Sequence, residues 1–240
     1  MRVVLIHGSA GNADSAWVAL RPLADRFELV APNRGGYPPG PLLERLDFEV
    51  QAGELMPLLE DGAHLVGHSY GGVIALLIAA LVPERVRSLA VSEPPAFALA
   101  RGNPEVDDLV ERLDAHFTRG PRDPRAFAEG FLALVGTDTR LPERLSPGFE
   151  QSIRATMAER GPWEAQIPLD DLAATSFPKL VLSGAHHPAF DAVCDVLEER
   201  LGAQRAVLPG AGHGVTRAPG YAERIAAFLD DSVRTEQSTQ

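Results

Sequence analysis

The feature that most constrains this chain is an alternation. Short runs of consecutive apolar residues are separated by longer segments with helical apolar spacing. The short runs are Val3–Ile6, Phe27–Ala31, His64–Val66, Val86–Val91, Lys179–Leu182 and Arg205–Leu208. Apolar residues in succession, rather than every second residue, mark strands buried on both faces, the condition of a parallel sheet covered by helices. Helical spacing fills about Asp14–Arg26, about Leu43–Glu60, Val73–Leu81 and about Tyr221–Leu229. The pattern predicts a doubly wound, mainly parallel six-stranded α/β sheet with right-handed crossovers.

One connection exceeds what a crossover needs. Between Val91 and Lys179 lie 87 residues, whereas a parallel crossover takes about a dozen or somewhat more. Val106, Leu109, Val110, Leu113 and Phe117 follow helical spacing, as do Phe127, Phe131 and Val135, and Phe149, Ile153 and Met157. A helical insertion over residues 95–176 is therefore expected, inside a core made of residues 1–94 and 177–231. Residues 232–240 lack apolar periodicity and read as a polar, frayed tail.

Composition removes several function classes. The chain has 240 residues, enough for one large domain, and a formal net charge of −11. That sign opposes binding to nucleic acid or to an anionic membrane surface, both of which present phosphate. A single cysteine, Cys194, excludes an internal disulfide framework and a multi-thiolate metal site. The run before His7 is far shorter than a signal-peptide core, and no stretch approaches the length of a membrane span. A soluble, cytoplasmic protein is the expectation.

Gly67-His68-Ser69-Tyr70-Gly71 matches G-x-S-x-G between an expected strand and an expected helix. Small neighbours let the chain close sharply, which lifts the Ser69 hydroxyl above a helix N-terminus. There the Tyr70 backbone N–H can face a developing oxyanion. The plainer alternative is a tight turn with an incidental serine. His7-Gly8-Ser9 ends the first strand beside that turn, and the Ser9 N–H is the expected second oxyanion donor, with His7 bracing the loop.

A serine hydroxyl needs a base to take its proton. Of seven histidines, His213 is the best placed, in a glycine-rich loop after the sixth strand. His64 begins a strand, His68 is expected to point away from the turn, and His116 lies in an insertion helix.

The His7-Gly8 pair after the first strand, Gly67–Gly71, the long insertion, and Gly210-Ala211-Gly212-His213-Gly214 together resemble the α/β-hydrolase fold family, serine-nucleophile branch, over essentially the whole chain. The resemblance implies the chain order nucleophile, acid, histidine. With the first strand starting at residue 2, it also implies a core lacking the two N-terminal strands of the larger fold. In most members an Asp follows the fifth strand of this count, in a pattern resembling G-x-x-D. Here Gly184-Ala185-His186-His187 stands instead, and an imidazole cannot supply the fixed negative charge that orients the base. Two carboxylates could replace it. Glu93 ends the fourth strand, where a subset of the family, including some lactonases and the haloalkane dehalogenases, carries its acid. Asp191 lies in the first turn of the next helix. Glu93 is preferred, because α/β sheets place their chemistry at strand carboxyl ends; Asp191 is the alternative acid.

The expected catalytic set is thus Ser69, His213 and Glu93, with Ser9 and Tyr70 as oxyanion donors. No metal site is expected from the adjacent His186 and His187, which read as surface residues or part of the pocket mouth, and no organic cofactor is implied, since phosphate-binding glycine loops are missing. A serine at this turn disfavours dehalogenase or epoxide-hydrolase chemistry. An insertion rich in Phe suits a small to medium hydrophobic ester or lactone, with Trp163, Phe97 and Phe131 as substrate contacts and Tyr70 and Trp17 as weaker ones. Two other readings fit the same scaffold: a lyase, cyclase or acyltransferase, and a ligand-binding protein with little turnover.

Overall fold

Among the described residues six strands make one sheet: β1 (Arg2–Ile6), β2 (Glu28–Val30), β3 (Ala63–His68), β4 (Val86–Ser92), β5 (Lys179–Ser183) and β6 (Gln204–Val207). The computed structural model describes residues 1–137 and 140–239, with side chains through residue 235. The strand order is β2-β1-β3-β4-β5-β6, and every pairing is parallel. The helices are α1 (Ala13–Ala16), α2 (Phe48–Leu55), α3 (Tyr70–Leu81), α4 (Pro104–Arg119), α5 (Pro124–Leu134), α6 (Pro147–Met157), α7 (Leu169–Ala173), α8 (Pro188–Leu201) and α9 (Tyr221–Thr239).

Both faces of the sheet are covered, as the uninterrupted apolar runs require. Val4 and Ile6 pack with α2 and α3 on one face; Val3 and Leu5 pack with Trp17, Leu20, Ile225 and Phe228 on the other. The chain passes from β1 outward to β2, then returns to place β3 on the opposite side of β1. That reversal opens a crevice at the carboxyl ends of β1 and β3, where sheets of this kind bind ligands. Ser9 follows β1 and Ser69 follows β3, so both stand at the crevice.

Between β4 and β5 the chain forms α4 to α7. Asn103-Pro104, Asp123-Pro124 and Ser146-Pro147 start the first three of these helices. In each, the polar side chain accepts a backbone N–H of the first turn, and proline occupies a position whose N–H has no helical partner anyway. His187-Pro188 starts α8 in the same way. Among the described residues no helix is long and apolar enough to cross a membrane.

Three elements differ from the sequence-based expectation. The helix expected over Asp14–Arg26 is one turn, α1, followed by a 3-10 segment at Val18–Asp25 that contains Pro22. Proline removes a backbone donor and crowds the preceding turn, which disfavours a continuous α-helix there. The helix expected from Leu43 starts at Phe48, capped by Asp47, because Leu46 pairs with Glu159 instead. The expected tail is helical: α9 continues to Thr239, with Ser232 buried and donating to the Phe228 carbonyl. Gln240 lies outside the described residues.

Candidate active site

Ser69 sits between β3 and α3 with φ 52° and ψ −126°, a left-handed conformation that non-glycine residues rarely adopt. The turn closes because its flanking residues lack side chains. A Cβ at Gly71 would stand 2.2 Å from the Ile6 carbonyl oxygen, and one at Gly67 2.5 Å from that of Gly71. The Ser69 N–H donates to the Ser92 carbonyl at 2.9 Å, which ties the turn to the end of β4. Tyr70 opens α3, so its N–H has no partner within the helix.

His213 comes from the loop after β6. Its Nε2 lies 2.8 Å from Ser69 Oγ and its Nδ1 3.3 Å from Glu93 Oε2. The ring packs against Phe190 at 4.6 Å between centroids. His68, contrary to expectation, turns toward this group: its Nε2 donates to the His213 carbonyl at 2.9 Å, and it lines the cleft beside Ser69.

Glu93 is wholly buried at the end of β4, with φ 50°. Its N–H donates to the Leu182 carbonyl, and its Oε1 accepts the Gly184 N–H at 2.6 Å. Burial pushes its carboxyl up to about 7, against the lowering influence of His186 and the Gly184 N–H. Burial holds the His213 imidazole below its ordinary range, helped by the charges of His186 and His187. His213 is therefore neutral at neutral pH. With Nδ1–H toward Glu93, its Nε2 lone pair faces the Ser69 hydroxyl.

Asp191 is elsewhere engaged. It pairs with Arg205 at 3.1 Å, in the first turn of α8. His187 caps α8, its Nδ1 accepting the Ala189 N–H. His186 reaches the acid instead: its Nδ1 lies 3.4 Å from Glu93 Oε2, and its Nε2 donates to the Val135 carbonyl at 3.0 Å.

A second buried carboxylate borders the same site as Ser69. Glu159, just beyond α6, pairs with Arg34 at 2.6 Å, both side chains sealed from solvent. Its Oε1 also accepts the Tyr37 hydroxyl at 2.7 Å, and its Oε2 the Ser9 hydroxyl at 2.5 Å. The neighbouring Ala10 N–H donates to Thr156 Oγ1 at 2.8 Å. The loop after β1 is thus gripped by the end of α6. His7 braces it from below, its Nδ1 donating to the Gly8 carbonyl while its Nε2 accepts the Arg34 N–H. No local signal in the sequence marks Arg34, Glu159 or His186 for these contacts, since each partner lies in a distant segment.

Two cavities meet at Ser69 and His213. One is an open cleft of about 430 Å³ bordered by Ser9, Ser15, Phe131, Phe149 and Arg217. The other is an apolar slot of about 20 Å³ between Tyr70, Leu113, Phe117, Trp163 and Phe190. Trp163 and Phe131 therefore border the site, and Tyr70 borders the slot. Phe97 does not border either cavity; it is buried against Phe190. Trp17 packs into the core on the opposite face of the sheet. Aromatic identity alone could not separate lining from packing.

A family model described as the alpha/beta hydrolase family matches residues 3–227. A relative, the dihydrolipoyllysine-residue acetyltransferase component of the acetoin cleaving system from Pseudomonas putida, is 27% identical over 95% of this chain and 63% of its own length. The chain spans less than two thirds of the acetoin-system relatives it matches. The pimeloyl-[acyl-carrier protein] methyl ester esterase of Pectobacterium carotovorum is 29% identical over 94% of this chain and 93% of its own. The solved structure of a hydrolase from Pseudomonas aeruginosa superposes with a TM-score of 0.69 at 19% identity, covering 95% of this chain and 89% of that one, a likeness of fold.

Proposed function

The chain belongs to the alpha/beta hydrolase family, and from that premise we propose that it is a serine hydrolase of carboxylic esters, working through Ser69, His213 and Glu93. One observation carries the reading. A strained serine at a strand-to-helix turn lies 2.8 Å from a buried imidazole whose other nitrogen faces a buried carboxylate. Ser69 Oγ attacks the ester carbonyl as His213 Nε2 takes its proton. The N–H groups of Ser9 and Tyr70 hold the oxyanion, and Glu93 orients the imidazole and stabilises its charged form. His213 then returns the proton to the leaving alcohol. Water, deprotonated by His213, releases the acid from Ser69.

The helical segment of residues 95–176 acts as a cap over the core of residues 1–94 and 177–231. Phe117, Phe131 and Trp163 make an apolar roof, which suits a small to medium hydrophobic ester or lactone. The esterase named among the relatives supports the ester class.

Labelling with a serine-directed fluorophosphonate, followed by a panel of short acyl esters and lactones, tests the reading. One adduct on Ser69 and turnover of hydrophobic esters are expected. No adduct on folded protein would overturn the nucleophile. An adduct without turnover of any ester or lactone would replace hydrolysis by acid–base or acyl-transfer chemistry.

A further inference from the structure

His186 meets Glu93 with an atom that cannot make an ordinary hydrogen bond in the neutral ring. A carbonyl only accepts, so the Val135 carbonyl fixes the proton of His186 on Nε2. Neutral His186 then turns a bare Nδ1 lone pair toward Glu93 Oε2 at 3.4 Å. That nitrogen is buried and without a hydrogen-bond partner, in a side chain only 10% exposed. Two lone pairs facing each other in a dry interior are satisfied only by a proton or a metal ion between them. His213 Nδ1 approaches the same oxygen at 3.3 Å, and the three ligand atoms lie within 4.8 Å of one another.

We propose that Glu93, His186 and His213 form a binding site for a borderline-soft divalent cation, Zn²⁺ above all, which switches the Ser69 centre off. The inhibitory role rests on the hydrolase reading; the binding site does not. Zinc holds nitrogen and oxygen ligands at about 2.0–2.2 Å in a tetrahedron, which sets neighbouring ligand atoms about 3.4 Å apart. Two of the three edges, at 3.3 and 3.4 Å, already have that length. The third, no longer than 4.8 Å, closes by small rotations of the two rings. Two imidazoles and one carboxylate favour zinc and its first-row neighbours over magnesium or calcium, which take oxygen ligands. The Val135 carbonyl orients His186 as outer hydrogen-bond partners orient metal-bound imidazoles.

The effect on chemistry follows from the tautomer of His213. The cation takes the Nδ1 lone pair, so the single ring proton moves to Nε2. The ring stays neutral and no proton is gained or lost. Nε2–H then donates to Ser69 Oγ and cannot accept its proton, so the base is lost while Ser69 stays in place. Withdrawing the metal returns the proton to Nδ1 and the lone pair to Nε2.

The competing occupant is a proton shared between His186 and Glu93, with no metal bound. Titration of the metal-free Ser69→Ala protein with Co²⁺ and Zn²⁺ separates the two without relying on turnover. One ion per chain is expected, with a visible Co²⁺ spectrum of tetrahedral type. Binding should weaken about a hundredfold or more in His186→Asn and in Glu93→Gln, each of which removes a ligand. It should persist in His187→Asn, which alters the adjacent imidazole outside the site. In the wild-type chain Zn²⁺ should block fluorophosphonate labelling of Ser69, and a chelator should restore it. No binding to Ser69→Ala, or binding that survives both ligand substitutions in folded protein, would overturn the site. Binding without protection of Ser69 from labelling would overturn the inhibitory role.

Discussion

Two buried glutamates stand near Ser69, and they differ in what holds them. Glu93, at the end of β4, faces imidazoles: His213 at 3.3 Å and His186 at 3.4 Å. Glu159, from the segment between β4 and β5, faces the guanidinium of Arg34 at 2.6 Å together with the hydroxyls of Tyr37 and Ser9. An arginine is charged at every accessible pH, so Glu159 always faces a fixed counter-charge within a closed network. An imidazole carries no such fixed charge, and burial raises the Glu93 carboxyl to about 7, so its state can change near neutrality. Burial is similar at the two sites, and the partner decides whether the carboxylate is structural or responsive.

Activity should break this symmetry most strongly. Glu93→Gln is expected to lower kcat about ten-thousand-fold, because a neutral amide cannot stabilise the charged imidazole. Glu159→Gln should lose far less, through a looser Ser9 loop. Equal losses in kinetic assays of the two variants would erase the distinction.

Stability should show the reverse order. Glu159→Gln leaves Arg34 buried without its counter-charge and is expected to cost about 3–5 kcal/mol, read by denaturant unfolding. The folded-state pKa of Glu93 is raised from 4.5 to about 7, so its favourable contribution is fully present below the unfolded value and is lost as pH rises through about 7. Glu93→Gln should therefore melt at a higher temperature than wild type above pH 7, with the gap opening between pH 4.5 and 7. A lower melting temperature at pH 8 would count against the burial penalty.

The same shift sets the pH profile. The proposed mechanism needs Glu93 ionised and His213 neutral, so kcat/KM should fall as pH drops below about 7, as an apparent value of the coupled pair. A plateau extending to pH 5 would contradict this. Smaller effects are expected at the edges of the site. Trp163→Ala should raise KM for bulky esters several-fold with little change in kcat, since it borders the apolar slot. Phe97→Ala should destabilise the fold while leaving KM alone, because Phe97 packs against Phe190 away from the cavities.

What was legible in the sequence follows from the range of each interaction. The strands could be read because burial on two faces writes itself into consecutive apolar residues, as in Val3–Ile6. The turn at Ser69 could be read because its close approaches admit only glycine at Gly67 and Gly71. At Asp14–Arg26 apolar spacing misleads, because Pro22 and the anchoring of Trp17 in the core outweigh it. The meeting of Glu93 with His213, across 120 residues, could be argued only after the strand order was assumed. Glu159 with Arg34, across 125 residues, and His186 with Glu93 left no trace in spacing or motif. They arise from how the segment between β4 and β5 and the loop after β5 settle onto the sheet.

In the proposed mechanism Glu93 supplies the negative charge behind His213. The rate of fluorophosphonate labelling at Ser69, measured by intact mass for wild type, Glu93→Gln and Asp191→Asn, tests it most directly. Labelling should slow by about three orders of magnitude or more in Glu93→Gln and stay close to the wild-type rate in Asp191→Asn, whose carboxylate pairs with Arg205. Fast labelling of Glu93→Gln together with slow labelling of Asp191→Asn would make Asp191, not Glu93, the acid behind His213.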